Sequence, residues 1–136
     1  MASVRKEIKI DAGAEHVWAA LRDFHAVHQR LAPGFVLNST PDGDARIVEF
    51  ANGTKAREVL VDSDDKSRRL AYAIGASERL PHHNASAQVF ADGDGRSRFV
   101  WIADFLPQEI APYIDSQMEL ACGLMKRALE QSKAAK

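Results

Sequence analysis

Three places in this 136-residue chain carry side chains that could do chemistry at suggestive spacing. His82 and His83 are adjacent in the segment ERLPHHNAS (78–86), His25 and His28 stand three apart, and Cys122 is the only cysteine. A metal site needs several donors converging on one point. The run from His82 reads as extended, so the two imidazoles leave on opposite faces and do not chelate one ion. His25 and His28 could share a helix face, but no HExxH pattern, cysteine cluster or patterned acidic third ligand accompanies them. A single cysteine makes neither an intrachain disulfide nor a Cys-based zinc cage. No GxSxG turn presents a serine nucleophile. The sequence therefore predicts no metal and no cofactor, and it points away from a nucleophilic hydrolase.

The bulk composition narrows the setting. Apolar residues make up 46% and charged residues 27%, the mixture of a globular protein, and the length fits one domain over residues 1–136. Eighteen Lys and Arg stand against 19 Asp and Glu, for a net charge of −1. That balance lacks the basic excess of a nucleic-acid binder and the polybasic patch of a membrane-surface protein. The opening MASVRKEIKI has no apolar core of a leader, and no stretch approaches the roughly 20 apolar residues of a membrane span. The expectation is a cytoplasmic protein with no stable membrane insertion; a homodimer is compatible with these numbers and not demanded by them.

The elements that must position these side chains are readable from period and turn chemistry. VRKEIKI (4–10) places Val4, Ile8 and Ile10 on one parity, with Lys6 as the exception, and reads as a half-buried strand. The next segment, to about Leu31, changes period: Val17, Leu21, Phe24 and His28 fall on one helix face, with Asp11 as a cap near its start and a stop at Pro33-Gly34. Six short strands follow at roughly 8–12-residue spacing, separated by PDGD, Asn52-Gly53, DSDDKS, GASERLP and DGDG. A long amphipathic helix then runs from Gln108 to about Ser132. Steps of about 100° put Ile110, Ile114, Gln117, Ala121, Leu124 and Ala128 opposite the charged Asp115, Glu119, Lys126 and Glu130. The order β-α-α-β6-α gives an α+β fold in which this helix covers the apolar face of an antiparallel meander of about seven strands.

This ordered set resembles the START-like (SRPBCC) superfamily with the helix-grip fold, and within it the polyketide cyclase/dehydrase-like proteins. The resemblance is carried by VWAALRDF (17–24), ANGTKAREVLV (51–61), RRLAYAI (68–74), ERLP (78–81) and VWIADFLP (100–107), in order over nearly the whole chain. It implies a curved sheet wrapped round the long C-terminal helix, with a cavity between them that takes a small hydrophobic or aromatic molecule. It also implies that the loops at 51–54 and 75–81 gate the entrance, as in the abscisic-acid receptors of the same superfamily; ordinary hairpin turns are the alternative.

Strand alternation then selects side chains for that cavity. His83, Ala85, Ala87, Val89 and Ala91 share a parity, so His83 points inward and His82 outward. The alanines either leave space for a ligand or accommodate the crossing helix. Phe99, Trp101, Ala103 and Phe105 form the inward set of their strand, and Leu70, Tyr72 and Ile74 that of theirs. In TKAREVLV, periodicity slightly prefers Val59 and Val61 inside, whereas the resemblance favours Ala56, Glu58 and Leu60, because abscisic-acid-type receptors keep an acidic pocket residue there. On the long helix Gln117 lies mid-face, Ala121 follows it, Tyr113 stands at the edge toward the mouth, and Cys122 lies about 100° off the centre with no electropositive setting to activate it. The candidate pocket is thus Phe24 and His28 from the first helical segment, with Glu58, Leu60, Tyr72, His83, Ala85, Trp101 and Phe105 from the sheet. Tyr113, Gln117 and Ala121 complete it from the last helix.

Glu58, Tyr72 and His83, if they converge, supply a carboxylate, a phenol and an imidazole for an aldol-type cyclisation or a dehydration. The same three groups equally suit fixing the polar end of a ligand, the commoner use of a few polar groups in an apolar cavity. Binding is the preferred expectation, with catalysis and lipid or quinone carriage as alternatives.

Overall fold

The computed structural model describes residues 1–134. Its frame is one seven-stranded antiparallel sheet in the order β1-β7-β6-β5-β4-β3-β2. The strands are β1 (Ala2–Ile10), β2 (Val36–Asp42), β3 (Ala45–Phe50), β4 (Lys55–Asp64), β5 (Arg69–Ile74), β6 (His82–Ala91) and β7 (Ser97–Leu106). Strands β2 to β7 pair as consecutive hairpins, and β1 returns to pair with β7 from Ala2↔Phe105 to Ile10↔Ser97. Tight turns make this possible; at Asn52-Gly53 the glycine takes φ +89°, which a side chain would oppose.

The helical parts are α1 (Ala14–Arg22), a 3-10 turn at Phe24–Ala26, a π-helical turn at Val27–Leu31, a second 3-10 turn at Gln108–Ile110 and α2 (Ala111–Ala134). Three sequence expectations need correction here. The cap of α1 is Gly13, not Asp11, and it makes no side-chain cap bond; Asp11 instead gives its backbone N–H to Glu130 at 2.8 Å. Val17, Leu21, Phe24 and His28 do not share one continuous helix face, because the segment breaks after Asp23 into a second short helical stretch, as the α-α order allows. Strand β4 also runs through Asp64, past a bulge between Leu60 and Asp62, so the turn begins later than DSDDKS suggests.

The core forms where the concave face of the sheet meets the helices. Ile10, Val17, Leu70, Val89, Phe99, Phe105 and Leu129 are fully buried; burying each such side chain contributes about 1.5–3 kcal/mol. Helix α2 packs mainly on β1 and on residues 27–31. Lys6, the charged exception on the inward parity of β1, meets α2: its ammonium lies 2.9 Å from Asp115 and 3.3 Å from Glu119. Further along, Lys126 donates to the Lys9 carbonyl.

This docking rotates the buried stripe of α2 relative to the sequence reading. Its centre is Met118, Ala121, Cys122, Met125 and Leu129, while Gln117, Leu124 and Ala128 are only half-buried. The charged residues line the β1 flank rather than the side opposite the core. Cys122 accordingly sits within the buried face, not about 100° from it, and burial pushes its thiol up to about 11.

Candidate functional site

Because α2 leans toward β1, the strands on the far side of the sheet meet it across a gap. That gap is a cavity of about 530 Å³, open to solvent, walled by β4 and β5 and closed by residues 110–118 and the loops at 51–54 and 75–81. Its lining is mostly apolar, including Phe35, Phe50, Ile74, Leu80 and Ile114. A smaller void of about 60 Å³ lies beyond it, and the two share Phe35, Phe50, Glu58, Tyr72 and Trp101.

Strand register assembles the polar part of the wall. Arg46 on β3 faces Glu58 on β4, Glu58 faces Ile74 on β5, and His83 on β6 faces Phe105 on β7. Tyr72 lies one inward step along, opposite Ala85, and Trp101 lies opposite Ala87. Glu58 is inside, as the family resemblance implied and against the slight preference of periodicity for Val59 and Val61; Val61 is 59% exposed.

Arg46 gives Nε to Glu58 Oε1 and Nη1 to the Phe24 carbonyl, both at 2.8 Å. The Phe24 ring backs the guanidinium at 3.9 Å from its centroid. Burial raises the Glu58 pKa, and the Arg46 charge opposes that shift. Trp101 donates its indole N–H to Tyr72 Oη at 3.2 Å. Burial, then the Glu58 charge, hold the phenol pKa well above its ordinary value, so Tyr72 keeps its proton. His83 is 9% exposed, its ring stacks on Phe105, and Nδ1 has no hydrogen-bond partner among the described residues. Burial, then the neighbouring His82, lower its pKa and leave the imidazole neutral.

At the mouth, Asn52 Nδ2 donates to Tyr113 Oη at 2.9 Å and lies 3.5 Å from Gln117 Oε1. This ties the 51–54 hairpin to α2.

The structure thus brings Glu58, Tyr72, His83, Trp101, Tyr113 and Gln117 to one cavity. Ala121 borders only the smaller void. Phe24, His28, Leu60, Ala85 and Phe105 line neither space. Phe24 stands behind Arg46. His28 follows the break in helical geometry. Leu60 and Ala85 flank Tyr72 in the sheet, and Phe105 lies under the His83 ring. Of the small inward residues Ala103 lines the cavity, whereas Ala87 borders the void.

Sequence reasoning missed Arg46, although Val48 and Phe50 share its parity and are apolar, which was the available signal. Among the described residues no group of three His, Cys, Asp or Glu gathers to hold a metal ion. None of the described helices is long and apolar enough to cross a membrane.

A seven-stranded sheet curved round a C-terminal helix, with a cavity between, is the helix-grip arrangement of START-like proteins. The chain belongs to the polyketide cyclase / dehydrase and lipid transport family, whose model matches residues 1–135. Among solved structures it is similar to a Thermobifida fusca protein (27% identity, covering 99% of this chain and 95% of that one, TM-score 0.80). It is also similar to a START superfamily protein from Mycobacterium smegmatis (10%, 98% and 97%, TM-score 0.75). A third likeness is to norcoclaurine synthase from Thalictrum flavum, solved with dopamine and hydroxybenzaldehyde (14%, 96% and 84%, TM-score 0.73). The last two likenesses concern the fold alone. No curated protein matches the chain in sequence.

Proposed function

We propose that this protein binds a small hydrophobic or aromatic molecule in the cavity between sheet and α2. The observation that carries the reading is the cavity itself: about 530 Å³ of open space with a mostly apolar lining and a few placed polar groups. Ligand sites have this character, and unneeded interior space tends to be closed by packing. In this reading Glu58, Tyr72, His83 and Trp101 meet the buried end of the ligand, while Tyr113 and Gln117 meet it near the mouth. The loops at 51–54 and 75–81 act as its gate, with the Asn52–Tyr113 bond as the latch.

One feature favours binding over an acid–base mechanism through Glu58, Tyr72 and His83: Glu58 is already held by Arg46.

Native mass spectrometry of the purified protein tests the proposal. A copurified small molecule is expected as an added mass that disappears on denaturation, and a lipid or quinone mass would point to the carrier function. If no added mass survives, and none appears after incubation with a panel of aromatic and lipid compounds, the proposal fails. For the catalytic alternative, His83→Ala would abolish turnover of a bound compound while leaving its binding intact; simple binding predicts weaker affinity only.

A further inference from the structure

Two polar groups on the cavity wall have hydrogen-bonding capacity that the protein does not use. Tyr72 Oη accepts the Trp101 indole N–H, and its own proton has no acceptor among the described residues. His83 lines the cavity, and its imidazole makes no side-chain hydrogen bond to another of the described residues. A polar group left without a partner on the cavity wall is unfavourable, and a ligand that pairs with it recovers part of that loss. The two side chains are diagonal neighbours on adjacent strands: Tyr72 pairs with Ala85, and His83 lies two residues before it on the same face. Diagonal neighbours of this kind lie about 7–8 Å apart at the backbone, and one small group placed between two such side chains can reach both.

The charges nearby decide what that group is. Arg46 is committed to Glu58 and to the Phe24 carbonyl, so among the described residues no free cation stands at the buried end to receive a carboxylate. A ligand ammonium there would compete with Arg46 for Glu58. Arg57 is paired with Asp42, and Lys55 and Arg79 are exposed. The buried end therefore suits an uncharged group, since an unpaired buried charge is costly. Tyr72 offers a donor and the neutral imidazole an acceptor.

We infer that the ligand carries an uncharged hydroxyl, phenolic or alcoholic, seated between Tyr72 and His83. Tyr72 gives its proton to the ligand oxygen, and the ligand hydroxyl gives its own to the His83 imidazole. This rests on the cavity-binding function proposed above and adds the chemistry of the ligand's polar end.

The test is a matched series titrated into the native protein at neutral pH: naphthalene, 2-naphthol, 2-methoxynaphthalene and 2-naphthoate. 2-Naphthol is expected to bind about tenfold more tightly than 2-methoxynaphthalene, which accepts but cannot donate, and more tightly than 2-naphthoate. Tyr72→Phe and His83→Phe should each reduce the ratio of 2-naphthol affinity to naphthalene affinity. Equal affinity for 2-naphthol and 2-methoxynaphthalene, or tighter binding of 2-naphthoate, would overturn the hydroxyl inference while naphthalene binding upheld the cavity. If no member of the series binds, the cavity-binding proposal falls and takes the inference with it. The native-protein comparison stands even if a variant does not fold.

Discussion

Arg46 Nε donates to Glu58 Oε1 at 2.8 Å across β3 and β4, and both side chains are only 7% exposed. Removing one partner leaves a buried charge with no counter-ion. Arg46→Met should cost about 3–5 kcal/mol in urea unfolding, whereas Arg46→Met with Glu58→Leu should recover most of that loss. A single-variant loss under 1 kcal/mol would show that the pair is not buried as described.

The same variant gives a signed pH dependence. Burial raises the Glu58 pKa, and Arg46 opposes the rise. A carboxyl whose folded pKa lies above its unfolded value favours the folded state at low pH, and that contribution is lost as pH rises through the folded pKa. Without Arg46 the pKa rises further. Stability of Arg46→Met relative to the native protein should therefore decline as pH increases above the ordinary carboxyl value of 4.5, measured by thermal unfolding across a pH series.

His83 predicts the opposite slope. Its pKa is lowered by burial and by His82, with Asp104 opposing. A depressed folded pKa means the contribution is present above the ordinary 6.5 and lost as pH falls through the folded value. The native melting temperature should drop as pH falls from 6.5 toward the folded value, and His83→Gln should flatten that part of the profile. An unchanged profile in the variant would contradict a buried neutral imidazole.

Cys122 is buried on the inner face of α2, with its thiol pushed up to about 11. A thiol reagent at pH 8 should react slowly with the native protein and fully after addition of guanidinium chloride, since the thiolate is the reactive form. Rapid labelling of the native fold would contradict the packing of α2.

Lys6 ties β1 to α2 through Asp115 and Glu119. Lys6→Glu gathers three carboxylates and should lose about 1 kcal/mol at low ionic strength, with much of the loss suppressed in molar salt. A loss that is insensitive to salt would assign Lys6 a packing role instead.

Much of the fold was legible because its determinants are local. Period-2 runs bounded by Gly- and Asp-rich turns located the six hairpin strands, and the family resemblance supplied the wrap around α2. Alternation placed His83, Tyr72 and Trp101 on the cavity side. What was not legible depended on partners distant in sequence. Val59 and Val61 made periodicity slightly prefer the opposite face of β4, and the resemblance alone put Glu58 inside; the pairing with the buried Arg46 that accompanies it was not read. The rotation of α2 brings Asp115 and Glu119 to the β1 flank, where they pair with Lys6, more than a hundred residues away. Phe24 and His28 left the expected face because Asp23 departs from helical geometry, at φ −79° and ψ 75°.

The chain's two tryptophans provide the most direct test of the central claim. Trp101 donates to Tyr72 in the cavity wall, whereas Trp18 donates to Asp65 outside it. In an NMR titration with 2-naphthol, the Trp101 indole N–H resonance should shift saturably while that of Trp18 stays in place. If neither resonance moves, or if both drift together without saturation, the cavity is not a binding site for this class of molecule.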